Sequence, residues 1–266
     1  MIDACLSGLE ASYRAQVDES GVVDFDRIQP GDVNQELTVG MMNLDWSSVI
    51  FIKNFKPIHQ QGRTIIWSAT AGFCLTKTAP SMLLRQVAAT KVVGWFDMKV
   101  MVKFLEVSGP APFVLGPMML ISTERSARAG HTSWIGGRFI HHIVPAQKEH
   151  VRIMLNNGLS LVIKDTVSRL NKKIIEANQI FDLQQRIQRL VAQQNGPDSP
   201  TIGVSPQADA YVLRYFDFHD LYFTELVQLK SGFQTSDRDR QVFLQEMLGG
   251  DRRSWHFDDE RGESPI

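Results

Sequence analysis

The residues of this chain best suited to binding chemistry are cations set among small hydroxyl side chains. From Leu120 to Ile135, Arg125 and Arg128 stand among Ser122, Thr123, Ser126, Thr132 and Ser133, just before Trp134. A guanidinium pairs with phosphate oxygens or enters a narrow minor groove, and short hydroxyls bond phosphate oxygens. Arg125 and Arg128 are therefore expected as groove or phosphate contacts, with Thr132 beside them; the alternative is a solvated connection between two strands. A second basic cluster, Lys164, Arg169, Lys172 and Lys173, falls at the start of a helical pattern, and Arg138 precedes it on an expected strand. These five are expected to position phosphates, although only part of the cluster shares the face opposite the apolar stripe, so some of it is solubilising charge. Arg85 and Lys91, flanking the small-residue run Val87-Ala88-Ala89-Thr90, form a third candidate contact region.

Signals for catalysis or metal binding are thin. His141 and His142 are adjacent, which on a strand sends their rings to opposite faces, and no His or Cys has a chelating neighbour three or four residues away with a matching second pair. Glycine-rich phosphate loops are absent, and seven scattered histidines single out no Ser/His/Asp arrangement. The expectation is a non-enzymatic chain with no catalytic residue, no metal ligand and no cofactor. Its two cysteines, Cys5 and Cys74, lie far apart in the sequence, which argues against a disulfide framework and for a reducing, cytoplasmic setting. No apolar run approaches the roughly 20 residues that span a bilayer, and the first residues lack a positive start followed by an apolar stretch, so neither secretion nor a membrane anchor is expected.

Net charge conceals the main asymmetry. The formal charge of −1 over 266 residues would by itself disfavour a polyanionic partner. By segment, however, residues 1–50 hold 2 Lys/Arg against 9 Asp/Glu, residues 51–190 hold 19 against 7, and residues 191–266 hold 7 against 13. A basic centre of +12 thus lies between acidic ends.

The elements that must position these cations follow from periodicity. Ile2, Leu6, Leu9 and Tyr13 have helical spacing, and Pro30-Gly31-Asp32 marks a turn before the main domain. Val49–Ile52, Thr64–Trp67 and Phe73–Leu75 read as strands, as do Phe113–Ile121 and Arg138–Val144. Residues 96–104 alternate so that Met98, Val100, Val102 and Phe104 share one side, which predicts a half-buried strand with Lys99 facing outward. From His150 to Ile163 the alternation is broken by Asn156-Asn157-Gly158, a β-hairpin with a tight turn. The period then changes: Asp165 or Thr166 caps a helix running to about Gln194, whose apolar stripe includes Val167, Leu170, Ile174, Phe181, Ile187 and Leu190. The predicted class is α+β, an antiparallel β-sheet core with a long helix after a hairpin and helical terminal regions. The expected organisation is an acidic N-terminal region over 1–36, a basic domain over 37–194, a linker over 195–208, and an acidic helical C-terminal region with a charged tail over 209–266.

An ordered series of segments from about Leu37 to Asn178 resembles the ComK family, the competence transcription factors of Gram-positive bacteria. The series runs Ser81-Met82-Leu83-Leu84-Arg85, then Lys91 to Gly94, then Gly109-Pro110-Ala111-Pro112 before a hydrophobic strand. Ser122-Thr123-Glu124-Arg125 follows, then Gly130 to Trp134-Ile135, and last the hairpin Asn156-Asn157-Gly158-Leu159-Ser160-Leu161. The resemblance implies a DNA-binding transcription activator that acts as a homo-oligomer on paired A/T-rich boxes of double-stranded DNA through the minor groove and switches on genes for DNA uptake and genetic transformation. A proteolytic adaptor is a further partner it implies, although the short C-terminal motif that such factors present to it is not evident after Gln194. Two other readings of the basic centre are a protein-interaction module for an acidic partner and an enzyme acting on nucleic acid.

Overall fold

The computed structural model describes residues 2–37, 44–55, 64–91, 94–123, 132–147, 149–194, 206–232, 236 and 238. Its contacts divide into one unit over Met1–Ser199 and a second over Pro200–Ile266. The first unit begins with two short helices, α1 (Ile2–Cys5) and α2 (Ala11–Ser20), and a short strand β1 (Val22–Asp24). Three strands follow, β2 (Val49–Asn54), β3 (Thr64–Ser68) and β4 (Gly72–Thr76), and then a helical pair, α3 (Pro80–Ala89) and α4 (Trp95–Phe104). Next come β5 (Phe113–Leu115), β6 (Met118–Ser122), β7 (Trp134–Gly136), β8 (Ile140–Pro145), β9 (His150–Leu155) and β10 (Ser160–Lys164). The long helix α5 (Val167–Gln194) completes the described part of this unit, and α6 (Pro206–Ser231) is the helix of the second.

The protein is α+β, as expected, but with two sheets. A six-stranded antiparallel sheet has the order β4-β3-β2-β7-β6-β5, and a four-stranded sheet the order β1-β10-β9-β8, in which only β1 with β10 is parallel. Burial explains why the two read differently in sequence. Val49–Ile52 and Thr64–Trp67 are continuous apolar runs because the larger sheet is covered on both faces. One face carries Phe51, Trp67 and Phe73, with Trp67 stacked on Phe73 at 4.9 Å, in the same core as Val151, Ile153, Leu161 and Ile163 of the smaller sheet. The other face presents Val49, Ile52, Ile66 and Leu120 to Leu83, Leu84 and Val87 of α3 and Met98 of α4. β9 instead alternates buried and exposed, because only one face of the smaller sheet is covered.

Residues 1–36, expected as a region preceding the main domain, contribute Leu6, Leu9, Val17, Val23, Phe25 and Ile28 to the core shared by the two sheets. Of their acidic side chains, Asp3, Glu10, Asp18, Glu19, Asp26 and Glu36 are exposed and Asp24 and Asp32 half-buried. The helix expected at the very start is interrupted after Cys5 and resumes at Ala11, and β1 is a strand that its three-residue length hides in the sequence.

Other expectations are corrected. The half-buried strand predicted over 96–104 is helix α4: the apolar residues fit a helical stripe as well as an alternation, burying Met98, Val100 and Met101, and Asp97 accepts a hydrogen bond from the Gly94 amide to close the first turn. Phe113–Ile121 is a hairpin, split by Gly116 and Pro117 into β5 and β6. Residues 137–139 form a turn of 3-10 helix before β8. The β9–β10 hairpin is present, but its turn is a three-residue loop in which Gly158 alone takes a positive φ, and the Asn157 side chain accepts from the Leu159 amide. A register shift between Ile140 and His142 leaves both His141 and His142 exposed rather than on opposite faces.

Candidate nucleic-acid interface

The helix after the hairpin starts where it was expected. Thr166 Oγ1 accepts from the Arg169 amide, and Asp165 Oδ1 accepts from the Thr166 amide at 2.7 Å. What the helix does with its cations differs from the sequence expectation. Asp165 is buried, its side chain 1% exposed, and the Arg169 guanidinium, 17% exposed, forms a two-armed ion pair with it through Nε and Nη2. The remaining guanidinium hydrogens reach the carbonyls of Ser122 at 3.1 Å and Thr123 at 3.2 Å. Arg169 therefore ties α5 to the end of β6. One turn further on, the Lys173 ammonium is buried against Glu176 at 2.6 Å and the Ser108 carbonyl at 2.8 Å. Three turns on, Gln184 accepts from the Gly116 amide and donates to the Val114 carbonyl, completing the free edge of β5 as a neighbouring strand would. Arg169 and Gln184 fasten α5 to the larger sheet, and Lys173 between them fastens it to the connection between α4 and β5.

Two cations of this cluster remain at the surface. Lys172 is exposed, donates to Ser108 Oγ and lies 3.8 Å from Glu176. It lines an open groove of about 570 Å³ between residues 105–108 and α5, together with Glu106, Glu176 and the exposed Ile175. Two carboxylates on that lining make it a poor anion site. Lys164 pairs with Glu149 at 3.2 Å, both well exposed, an interaction worth about 0–1 kcal/mol. Arg138 is exposed in its turn and makes no ion pair among the described residues.

Arg125 and Arg128 lie outside the described residues. The strand ends flanking them are visible: β6 leaves through Thr123, and β7 is entered from Thr132, which is half-buried. Several hydroxyls of that stretch serve the fold. Ser122 is fully buried, the Ser133 hydroxyl is buried and accepts from the Asn54 amide at 2.9 Å, and Thr123 donates to the Ser133 carbonyl.

The third region expected from the sequence presents a run of exposed cations among the described residues. Between residues 77 and 105 stand five cations, Lys77, Arg85, Lys91, Lys99 and Lys103, and a single acid, Asp97, whose carboxylate is turned onto the Gly94 amide. All five cations are exposed. The reason is the amphipathicity of the helical pair. α3 buries Leu83, Leu84, Val87 and Ala88 against the sheet and turns Met82, Arg85 and Gln86 outward. On α4, Trp95, Lys99 and Lys103 follow one another at helical spacing of four along the exposed side. Arg85 joins the two helices, its guanidinium carbon lying 6.0 Å from the centroid of the Trp95 ring. The sequence showed the small-residue run beside Arg85 and Lys91; it did not show α3, because four buried apolar residues in ten resemble a strand edge as much as a short helix.

Among the described residues no group of three or more His, Cys, Asp or Glu is placed to hold a metal ion, and no helix is long and apolar enough to cross a membrane. Cys5 and Cys74 are free thiols, both buried, with burial pushing each thiol above its ordinary value. Comparison of the chain with protein-family models, with curated proteins and with solved structures gives no match in any of the three.

Proposed function

We propose that this chain is a DNA-binding transcription activator that docks its basic central region on A/T-rich duplex DNA through the minor groove. The observation that carries the reading is the exposed surface of the segment from α3 to α4, where Arg85, Lys91, Lys99 and Lys103 are all exposed and Arg85 lies over the Trp95 ring. Such a face attracts a polyanion and releases its counterions. Arg125 and Arg128 remain proposed groove contacts, because β6 and β7 hold their flanks rigidly and Arg169 anchors the strand end from which they depart. Action as a homo-oligomer in the cytoplasm on genes for DNA uptake and transformation belongs to the same reading and rests on the ComK resemblance of residues 37–178.

Fluorescence anisotropy of labelled A/T-rich and G/C-rich duplexes, titrated with the full chain at two salt concentrations, tests it. The expected result is tighter binding to the A/T-rich duplex, with affinity falling steeply as salt rises, and a shallower salt dependence when Arg125 and Arg128 are both replaced by Ala. Binding to polyglutamate but to neither duplex would favour an acidic protein partner instead.

A further inference from the structure

The cationic face of α3 and α4 is not purely electrostatic, and its apolar residues are in the wrong place for solubility. Met82 is 57% exposed and Trp95 43% exposed, two of the most exposed large apolar side chains among the described residues. They are not scattered. Met82 and Arg85 are three residues apart on α3, hence neighbours on one face, and Arg85 lies over the Trp95 ring of α4. The patch is therefore an apolar centre bridged by a guanidinium and flanked by Lys91, Lys99 and Lys103. A surface made only to hold phosphates needs cations and hydroxyls. A methionine and an indole at its centre suit base faces, because apolar side chains inserted between base steps part the stack while surrounding cations hold the backbone.

Trp95 is also held firmly enough to act as a wedge. Its ring packs against Phe113 of β5 at 5.5 Å, and Phe113 is fully buried in the sheet. One edge of the indole is anchored in the core and the other is open. The occupant that fits is a duplex, since exposed cations on both helices stand beside the apolar pair to hold a polyanion, and the step most easily parted is a pyrimidine–purine step such as TpA.

We propose that Trp95 and Met82 form a wedge that unstacks a TpA step when the α3–α4 face docks on A/T-rich DNA, with Arg85 bridging the two and contacting a phosphate beside the step. This rests on the DNA-binding reading above and adds residues that discriminate between duplexes of equal A/T content. The test uses the full chain and two such duplexes, one containing TpA steps and one built from A-tracts without them, each carrying 2-aminopurine at the central step. On the TpA duplex the fluorescence of 2-aminopurine should rise as the protein saturates it. Trp95→Ala and Met82→Ala should each lose most of that rise and bind the TpA duplex on the order of tenfold more weakly, with an unchanged salt slope. Trp95→Phe should retain the rise, and Met82→Ala, at an exposed position, keeps the test intact if loss of the indole unfolds the chain. Saturable binding by anisotropy without any rise on the TpA duplex overturns the wedge and leaves the DNA-binding reading standing. Absence of binding to either duplex overturns both.

Discussion

The start of α5 and the face of α3 and α4 carry similar runs of cations, and the fold uses them in opposite ways. On α5, Arg169 and Lys173 point inward to carboxylates and carbonyls and fasten the helix to the end of β6 and to the connection between α4 and β5. On α3, α4 and the connection between them, Arg85, Lys99, Lys103 and Lys91 are exposed, and the buried residues of the two helices are apolar. Charge in the sequence does not by itself predict charge at the surface. What differs is the buried acceptors each cation meets: Asp165 and the Ser122 and Thr123 carbonyls for Arg169, Glu176 and the Ser108 carbonyl for Lys173, whereas Lys172, with Glu176 four residues on, stays at the surface and no acid stands within four residues of Arg85 or Lys91.

Removing Asp165 breaks the contrast most severely. Asp165→Ala leaves the Arg169 guanidinium largely buried with no counter-charge, and should cost about 3–5 kcal/mol in urea unfolding. The same substitution should leave the salt slope of DNA binding unchanged at a temperature where the variant is still folded, because Arg169 is a positioning residue for β6 and not a phosphate ligand.

A smaller effect sharpens the comparison with a third kind of cation. Lys53 on β2 is buried, and its ammonium donates to the carbonyls of Asp26 at 3.1 Å and Ile28 at 2.8 Å between the rings of Phe25 and Phe55. Burial lowers it to about 8, against the pull of Asp26, Asp24 and Asp32 in the other direction. Between that value and the ordinary 10.5 the unfolded chain keeps the proton that the folded chain has released, so stability rises with pH through this window and is lowest below it. Tyr13, which burial pushes up to about 12 from 10.0, acts with the opposite sign above pH 10, where the unfolded chain ionises first and stability falls. Cys5 and Cys74, whose thiols burial raises from 9.0, act in the same sense as Tyr13 above pH 9, so the Lys53 contribution, roughly 2 kcal/mol between pH 8 and pH 10, is read as the difference between the unmodified chain and Lys53→Met. The unfolding free energy of the unmodified chain should gain on that of Lys53→Met across this window; parallel pH profiles would assign no such role to Lys53.

Much of this was legible in the sequence, and the misses share a cause. The hairpin, the cap at Thr166 and the full extent of α5 follow from period, turn residues and capping, all local signals. The helical nature of residues 95–104 was lost because Met98, Val100 and Val102 fit both periods over so short a run. Three-residue β1 is held in place by parallel pairing with β10, more than 130 residues away, which no local pattern encodes. The surroundings of the candidate cations are non-local for the same reason. Arg169 looks available until β6 supplies two carbonyls from 46 and 47 residues back in the chain, and Arg85 looks ordinary until Trp95 arrives beneath it from the next helix.

The central proposal is that the exposed cations of the segment from α3 to α4, unlike those of α5, contact the DNA backbone, and the salt dependence of duplex affinity tests it most directly. Full-length Arg85→Ala/Lys91→Ala and Lys172→Ala are compared with the unmodified chain on one A/T-rich duplex. These exposed positions should change stability by no more than about 0.5 kcal/mol. The double variant should reduce the slope of log affinity against log salt by about 2, roughly 0.9 per lost phosphate contact, and Lys172→Ala should leave it unchanged. An unaltered slope in the double variant, or a loss confined to Lys172→Ala, would contradict it.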